Sequence, residues 1–198
     1  HSWGEFLVSE GLVDPVQHRA MNDKFYDDYK KGQLDPYAYN EFVFQFLTQH
    51  EHAYLTELHQ LFMQKVIRPQ MRPEGFKAIQ RHKDAGHALV GITATSDFIT
   101  APIFREFGIT EIIATNAEVL DGKYTGKVIN TACYQQGKLV RLEQWLQGRD
   151  VTESWAYSDS INDRFLLEYA DHAIAVNPDD RLEVLAKAQG WNIQDWSI

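Results

Sequence analysis

Two aspartates stand four residues apart at a point where an apolar run gives way to a helical pattern. Asp159 and Asp163 follow the run Trp155–Tyr157, and at this spacing their carboxylates can converge across a strand-to-helix turn. Carboxylate oxygens are the ligands that Mg2+ prefers in proteins. The same residues also fit a helix start, because Ser160 and Asp163 have the spacing of a capping box. The pattern alone favours the cap slightly, and the two roles are compatible.

Thr93 and Lys138 are the candidates for holding an anion. Thr93 ends the apolar run Ala88–Ile92 and precedes a helical pattern. Its hydroxyl and the amide hydrogens after it could hold a phosphate, since helix amino termini attract anions, although helix capping explains such a residue more simply. Lys138 opens a predicted helix, where a cation opposes the helix dipole. An anionic partner would explain that placement, but the pattern by itself favours a solvated surface lysine.

Other groups that could carry chemistry have weaker support. Four residues resemble metal ligands but lie on or beside a polar helix face, which disfavours a zinc site: His50, Glu51, His52 and His59. The single Cys133 has no evident base nearby in the sequence, which argues against a thiolate nucleophile, and one cysteine excludes an internal disulfide. No G-x-G-x-x-G follows a predicted strand, which counts against a dinucleotide-dependent enzyme.

The composition limits the class of protein. The 198 residues carry 28 acidic and 19 basic side chains, a net charge of −9, and 44% of them are hydrophobic. This balance is typical of a soluble globular domain with or without a smaller insertion, and the acidic charge argues against nucleic acid as a partner. The sequence has no apolar run of the roughly 18 residues that a membrane span needs, and no signal peptide is visible. We expect a cytoplasmic protein with no membrane partner, and the oligomeric state stays open.

The sequence predicts helices up to Pro73 and alternating strands and helices after it. The spacing of apolar residues and helix starts such as Asp35–Pro36 predict no strand in the first 72 residues. Beyond Pro73, apolar runs and a turn signal predict a hairpin at 118–129 and strands at 88–92, 109–114, 155–157 and 173–176. This alternation predicts an α/β fold with a doubly wound parallel sheet.

The predicted sheet places the candidate residues on one rim. In doubly wound sheets, ligands bind beyond the carboxyl ends of the strands. Thr93 follows the first predicted strand, and Asp159 and Asp163 follow the strand that begins at Trp155. The topology therefore predicts that these three side chains lie on the same rim of the sheet.

Four stretches of the sequence form a combination found in a known family. They are the strand Leu89–Thr93, which ends in threonine; Gly137–Lys138 at a helix start; Tyr157–Asp163, which is similar to G-D-x-x-N-D; and the D-G-x-x-T-G hairpin Asp121–Gly126. In this order and spacing they resemble the haloacid dehalogenase superfamily, in its phosphoserine-phosphatase-like branch (subfamily IB). The resemblance covers nearly the whole chain. It implies a Rossmann-like core with an inserted helical cap, divided here into core residues 1–9, cap residues 10–72 and core residues 73–198.

The resemblance also implies a function, that of a phosphomonoesterase acting on a small phosphorylated metabolite. In the family's scheme Thr93 hydrogen-bonds the transferring phosphoryl oxygen, helped by the backbone amide of Ala94. Lys138 neutralises phosphate charge and steadies the nucleophile, and Asn162 touches the phosphoryl group. These roles are charge stabilisation and positioning, which are the main tasks in phosphoryl transfer.

The same scheme requires Mg2+ and an aspartate nucleophile. Asp159 would ligate Mg2+, and Asp163 would support the metal directly or through water as part of the catalytic set. The family's nucleophile is the first Asp of D-x-D-x-T on an amino-terminal strand, and the sequence, which begins at His1, contains no such motif. We therefore expect a longer parent protein that carries this motif before His1 and forms an aspartyl-phosphate. The alternative is a catalytically inert module that binds phosphate and metal; a receiver-like signalling domain is disfavoured by the helical segment before Pro73.

Overall fold

Four helices make up the amino-terminal third of the protein, whose computed structural model describes residues 1–197. They are α1 (Ser2–Ser9), α2 (Pro15–Lys31), α3 (Pro36–Thr48) and α4 (His52–Phe62). Helix α4 continues into a π-helical turn at Met63–Ile67 and a 3-10 turn at Arg68–Gln70. As the sequence predicts for the start of α3, the Asp35 carboxylate accepts hydrogen bonds from the amides of Tyr37 and Ala38.

Strands and helices alternate after residue 73. They are α5 (Pro73–Asp84), β1 (Val90–Ser96), α6 (Asp97–Glu106), β2 (Glu111–Thr115), β3 (Ala117–Leu120), β4 (Lys123–Val128), α7 (Gln136–Leu146), β5 (Trp155–Ser158), α8 (Arg164–Tyr169), β6 (His172–Val176), α9 (Asp180–Gln189) and β7 (Asn192–Gln194). Strand β7 was not predicted, because two of its three residues are polar amides and give no apolar run. Among the helices described here, none has both the length and the apolar character to cross a bilayer.

The strands after residue 73 pair mainly in parallel. Strand β1 pairs with β2, β5 pairs with β6, and β6 pairs with β7, all in parallel, while β3 and β4 form the predicted antiparallel hairpin. Within residues 1–197, β1 pairs only with β2 and β5 pairs only with β6, so each of these strands has one edge without a strand partner. Parallel strands alternating with helices confirm the predicted α/β class, although the parallel strands form two separate sheets, β1–β2 and β5–β6–β7.

Strand β1 is longer than the sequence predicts. The apolar run ends at Ile92, but the strand continues to Ser96, which pairs with Thr115 of β2. Threonine is β-branched and fits an extended backbone, so Thr93 and Thr95 prolong the strand past its apolar part. The extension brings the hydroxyl-bearing residues to the end of the sheet.

An aromatic-rich core joins the amino-terminal helices to the strands and helices that follow. Trp3 and Phe6 of α1 pack with Phe62 of α4 in a cluster that extends to Ile99 of α6. The ring centroids of Trp3 and Phe62 lie 5.1 Å apart in an edge-on arrangement, which aromatic pairs favour. Helix α1 therefore packs with the helices of the predicted cap, and the division of the chain at residues 9/10 and 72/73 stays a prediction.

Candidate active site

A cavity of about 300 Å³ lies where β1, β5 and the start of α7 meet. Five of the six predicted site residues line it: Thr93, Ala94, Lys138, Asp159 and Asp163. The rest of the wall comes from Tyr29 of α2, Phe104 of α6 and residues on the two strands, namely Ile92, Thr95, Tyr157 and Ser158. The structure thus brings together the threonine, the lysine and the two aspartates, while the roles assigned to them stay predictions.

Thr93 and Ala94 lie where β1 departs from a regular ladder. The register between β1 and β2 shifts between Ile92 and Ser96, so this stretch is not held by an even series of strand hydrogen bonds. The Thr93 hydroxyl oxygen accepts a hydrogen bond from the Thr95 amide at 3.2 Å, which leaves the hydroxyl hydrogen available to donate. The N-cap residue of α6 is Ser96, so Thr93 does not occupy the capping position.

Lys138 forms a buried ion pair with Asp163. Only 5% of the lysine is exposed, and its Nζ donates to one carboxylate oxygen of Asp163. The other oxygen accepts from the Ser158 hydroxyl at 2.8 Å. Burial by itself lowers the pKa of Lys138, but the charge and hydrogen bond of Asp163 outweigh burial and raise the pKa above its ordinary value. Lys138 is therefore a buried cation rather than the solvated surface lysine that the sequence pattern favoured.

The capping-box interpretation of Ser160 and Asp163 is only half realised. The Ser160 hydroxyl accepts a hydrogen bond from the Asn162 amide at 3.3 Å, as a cap does. The Ser160 amide, however, donates to the Ser158 hydroxyl at 3.1 Å, and the Asp163 carboxylate turns to Lys138 and Ser158. Asp163 is thus directed toward the cavity instead of back toward the helix start.

Asp159 lines the cavity and is also exposed to solvent. The residue has an exposed surface, and none of the described side chains donates a hydrogen bond to its carboxylate. Surrounding protein atoms still desolvate the carboxyl in part, and this desolvation raises its pKa, with the charge of Asp163 adding to the shift and Lys138 opposing it. A cation bound at this carboxylate would relieve both unfavourable effects.

A tight loop brings Lys138 to the cavity. A Cβ atom on Gly137 would stand 2.3 Å from a backbone carbonyl oxygen of the same loop, so only glycine fits this close approach. The Cys133 amide donates to the Thr115 hydroxyl oxygen at 3.0 Å, and that hydroxyl donates to the Ala94 carbonyl at 3.2 Å. Thr115 therefore ties the loop that carries Lys138 to the irregular part of β1.

Asn162 lies beside the cavity and is absent from its described lining. Its Nδ2 donates to the Tyr29 carbonyl at 2.9 Å, and its Oδ1 accepts from Gln135 Nε2 at 3.2 Å and from the Tyr134 hydroxyl at 3.4 Å. The amide therefore joins the core to the end of α2. The phosphate contact predicted for Asn162 stays a prediction.

The sequence analysis assigned no role to three residues that shape the site. Ser158 is the last residue of β5 and directly precedes Asp159, and its place on the same rim was the signal that could have identified it. Tyr29 lies in the amino-terminal region where the sequence predicts helices only, and Gln135 precedes the helix that the sequence predicts to open at Lys138. For Tyr29 and Gln135 the sequence holds no local signal, because their partners are distant in the chain.

The four residues considered as zinc ligands do not converge. His59 is 4% exposed, its Nε2 donates to the Ile99 carbonyl at 2.8 Å, and its ring stacks on Trp3. Within residues 1–197, the cluster with ligand spacing is His1, Glu5 and Asp23, which lies at the surface. His59 is therefore a core residue rather than a metal ligand.

The family assignment follows from comparison with known proteins. The model of the haloacid dehalogenase-like hydrolase family matches residues 2–168, and the chain belongs to that family. It is 40% identical over 199 residues to the histidinol-phosphatase of Neisseria meningitidis serogroup C (strain 8013), covering 98% of this chain and 90% of that protein. It is also 40% identical over 121 residues to phosphoserine phosphatase SerB1 of Mycobacterium tuberculosis (strain ATCC 25618 / H37Rv), covering 60% of this chain and 39% of that protein.

Solved structures show the same fold. A protein with unknown function from Bordetella pertussis Tohama I superposes with a TM-score of 0.91 at 38% identity, covering 99% of this chain and 91% of that one. A phospho-aspartyl intermediate analogue of phosphoserine phosphatase superposes with a TM-score of 0.66 at 16% identity, covering 100% of this chain and 87% of that one. The predicted resemblance to the phosphoserine-phosphatase-like branch is therefore confirmed at the level of family and fold.

Proposed function

We propose that this protein is a Mg2+-dependent phosphomonoesterase that acts on a small phosphorylated metabolite. The observation that carries the proposal is the cavity that Thr93, Ala94, Lys138, Asp159 and Asp163 line together. Hydroxyl, amide and ammonium groups donate hydrogen bonds to phosphoryl oxygens, and carboxylate oxygens suit a hard cation. Membership of a hydrolase family with phosphatase-named relatives supports the same reaction class.

The charges of the lining suit a divalent cation. Lys138 brings one positive charge and the two aspartates bring two negative ones, so the lining has a negative excess that would repel a phosphate. Asp159 would hold Mg2+ directly, and Asp163, already fixed by Lys138 and Ser158, would support it directly or through water. When bound, the ion polarises a phosphoryl oxygen and reverses the sign of the local charge.

The protein's own groups then orient the phosphoryl group. The Thr93 hydroxyl, with its hydrogen free, and the backbone amide of Ala94 would each donate to a phosphoryl oxygen. Lys138 is held cationic by Asp163 and would stabilise the negative charge that spreads over the equatorial oxygens during transfer. Buried donors that are already in place need no reorganisation as the reaction proceeds.

The attacking carboxylate is proposed to be the first Asp of a D-x-D motif on a segment that precedes His1. Its oxygen would form a bond to phosphorus as the phosphoester bond breaks, and the second Asp of the motif would give its proton to the departing alcohol oxygen. The same Asp would then take a proton from the water that hydrolyses the aspartyl-phosphate and releases phosphate. Within residues 1–197, β1 and β5 each have an edge without a strand partner, and this supports a strand at this place because residues of both strands line the cavity. Without that segment the remaining groups can bind phosphate and metal but have no nucleophile.

The identity of the phosphomonoester is proposed from the relatives and from the wall that α2 contributes. The relatives are named for histidinol phosphate and phosphoserine hydrolysis. Tyr29 is the α2 residue in the cavity lining, and in this proposal it would contact the leaving group of a bound substrate. Both amino-alcohol and amino-acid phosphates therefore belong in the first set of candidate substrates.

Phosphate release from a panel of small phosphomonoesters, with and without Mg2+, tests the proposal. The full-length protein should hydrolyse at least one of histidinol phosphate, phosphoserine and related esters, and chelation of Mg2+ should abolish the activity. Asp159→Asn should lose the response to Mg2+. Asp150→Asn, a matched change at an exposed aspartate outside the cavity lining, should retain it. If full-length protein that contains D-x-D releases no phosphate from any ester, the inert binding module is the correct alternative.

A further inference from the structure

Two side-chain amides donate hydrogen bonds to carbonyl groups at the C-terminal end of α2. The last carbonyl groups of a helix have no partner within the helix. The Tyr29 carbonyl accepts from Nδ2 of Asn162 at 2.9 Å, and the Gly32 carbonyl accepts from Nε2 of Gln135 at 3.1 Å. Gly32 ends the helix in the left-handed conformation, with φ of 72°. The two amides therefore dock the helix that contributes Tyr29 to the cavity wall.

Gln135 adopts a backbone conformation that favours glycine. Its φ is 47° and its ψ is −120°, a combination that costs free energy in any residue with a Cβ atom. In this conformation Nε2 lies within 3.2 Å of three acceptors, which are the Gly32 carbonyl, the Asn162 Oδ1 and the Tyr134 hydroxyl. Backbone strain and a side chain engaged by several partners thus coincide in one residue, which points to a function for the amide.

The two docking amides lie next to the two members of the buried ion pair. The Gln135 carbonyl accepts a hydrogen bond from the Lys138 amide at 3.0 Å, and Asn162 directly precedes Asp163 in the chain. The amides of Gln135 and Asn162 also bond each other at 3.2 Å. A displacement at the end of α2 would therefore reach Lys138 through Gln135 and Asp163 through Asn162, and the hydrogen bond between the two amides links these routes.

We propose that Gln135 is a positioning residue that couples the docking of α2 to the placement of Lys138 and Asp163. The proposal rests on the proposed function, in which those two residues act on the phosphoryl group. Gln135 is not among the described residues that line the cavity, and so it acts through its neighbours rather than on the substrate. When α2 is docked, the Gln135 side-chain amide fixes the position of the loop before Lys138 relative to the turn before Asp163.

Two substitutions separate the amide from the backbone strain. Gln135→Ala removes the amide and keeps the strain, whereas Gln135→Gly removes both. Each should lower kcat about tenfold, roughly the effect of losing one or two hydrogen bonds, with KM changed less than about twofold. The glycine variant should nevertheless be as thermally stable as the wild type, because its strain is relieved. Gln136→Ala, a change of the same type at the exposed neighbouring residue, should keep the wild-type kcat.

A purely structural role predicts a different outcome. If Gln135→Gly has the wild-type kcat, or if the loss in Gln135→Ala only follows a lowered melting temperature, the proposal is wrong. If the wild-type protein hydrolyses no phosphomonoester, the proposed function fails and hydrogen exchange tests the coupling by itself. Gln135→Ala should then speed exchange of the hydrogen-bonded amides of Gln33 and Lys138 by roughly tenfold, equivalent to one lost hydrogen bond or two. Unchanged exchange at Lys138 would overturn the coupling.

Discussion

Replacing Lys138 with methionine would reveal how strongly the buried ion pair stabilises the candidate site. Methionine keeps most of the side-chain volume but leaves Asp163, whose side chain is only 14% exposed, without its cation. Removing one member of a buried pair costs about 3–5 kcal/mol. Asp163 would keep its hydrogen bond from the Ser158 hydroxyl. Removing a cation that opposes the helix dipole at the start of α7 would also stabilise the fold by about 0.3–1 kcal/mol. We therefore expect a loss at the lower end of the range, about 3 kcal/mol in the free energy of unfolding.

Urea unfolding of the wild type, Lys138→Met and the double variant Lys138→Met/Asp163→Asn measures this loss. The second substitution removes the uncompensated carboxylate, so the double variant should recover most of the lost stability. For a chain of this size, the loss corresponds to a decrease in Tm of roughly 6–12 °C. A loss below about 1 kcal/mol, or a double variant that is as unstable as the single one, would show that the pair does not stabilise the fold as its burial implies.

Three further perturbations have expected outcomes. Because the pKa of Asp159 is raised, the metal-free folded state loses stability as this carboxyl ionises above about pH 4. Asp159→Asn should therefore raise the free energy of unfolding at pH 7, by at most about 1 kcal/mol because solvent screens the charge. A decrease in the free energy of unfolding would contradict the desolvation of Asp159. Burial lowers the pKa of His59, so below about pH 6.5 the unfolded chain binds more protons than the folded chain and stability falls as the pH falls. His59→Gln keeps a donor for the Ile99 carbonyl and should make this decline shallower in urea unfolding from pH 7 to 5. Equal slopes for the variant and the wild type would contradict the role given to His59. Gly137→Ala should lower the free energy of unfolding by roughly 1–3 kcal/mol, because its Cβ would lie 2.3 Å from the Ala132 carbonyl oxygen, and an unchanged thermal melt would show that the loop can yield.

Two element boundaries followed local signals in the sequence. The Asp35–Pro36 pair marked the start of α3, and the hairpin of β3 and β4 formed around its Asp121–Gly122 turn. Strand β1 ran past its apolar part, since pairing of Ser96 with Thr115 decided its end rather than hydrophobicity. Strand β7 became a strand only because β6 offered an edge on which it could pair.

Local patterns were enough to predict the α/β class and the residues on the rim of the sheet, because periodicity, caps and turn residues act over a few positions. They could not predict that Lys138 is buried against Asp163, 25 residues away, or that Asn162 binds the Tyr29 carbonyl, 133 residues away. Burial, charge pairing and helix docking depend on which distant segments meet, and no short pattern records that. The placement of Asp163 beside a cation, which turns a possible helix cap into a candidate site, is a property of the folded chain alone.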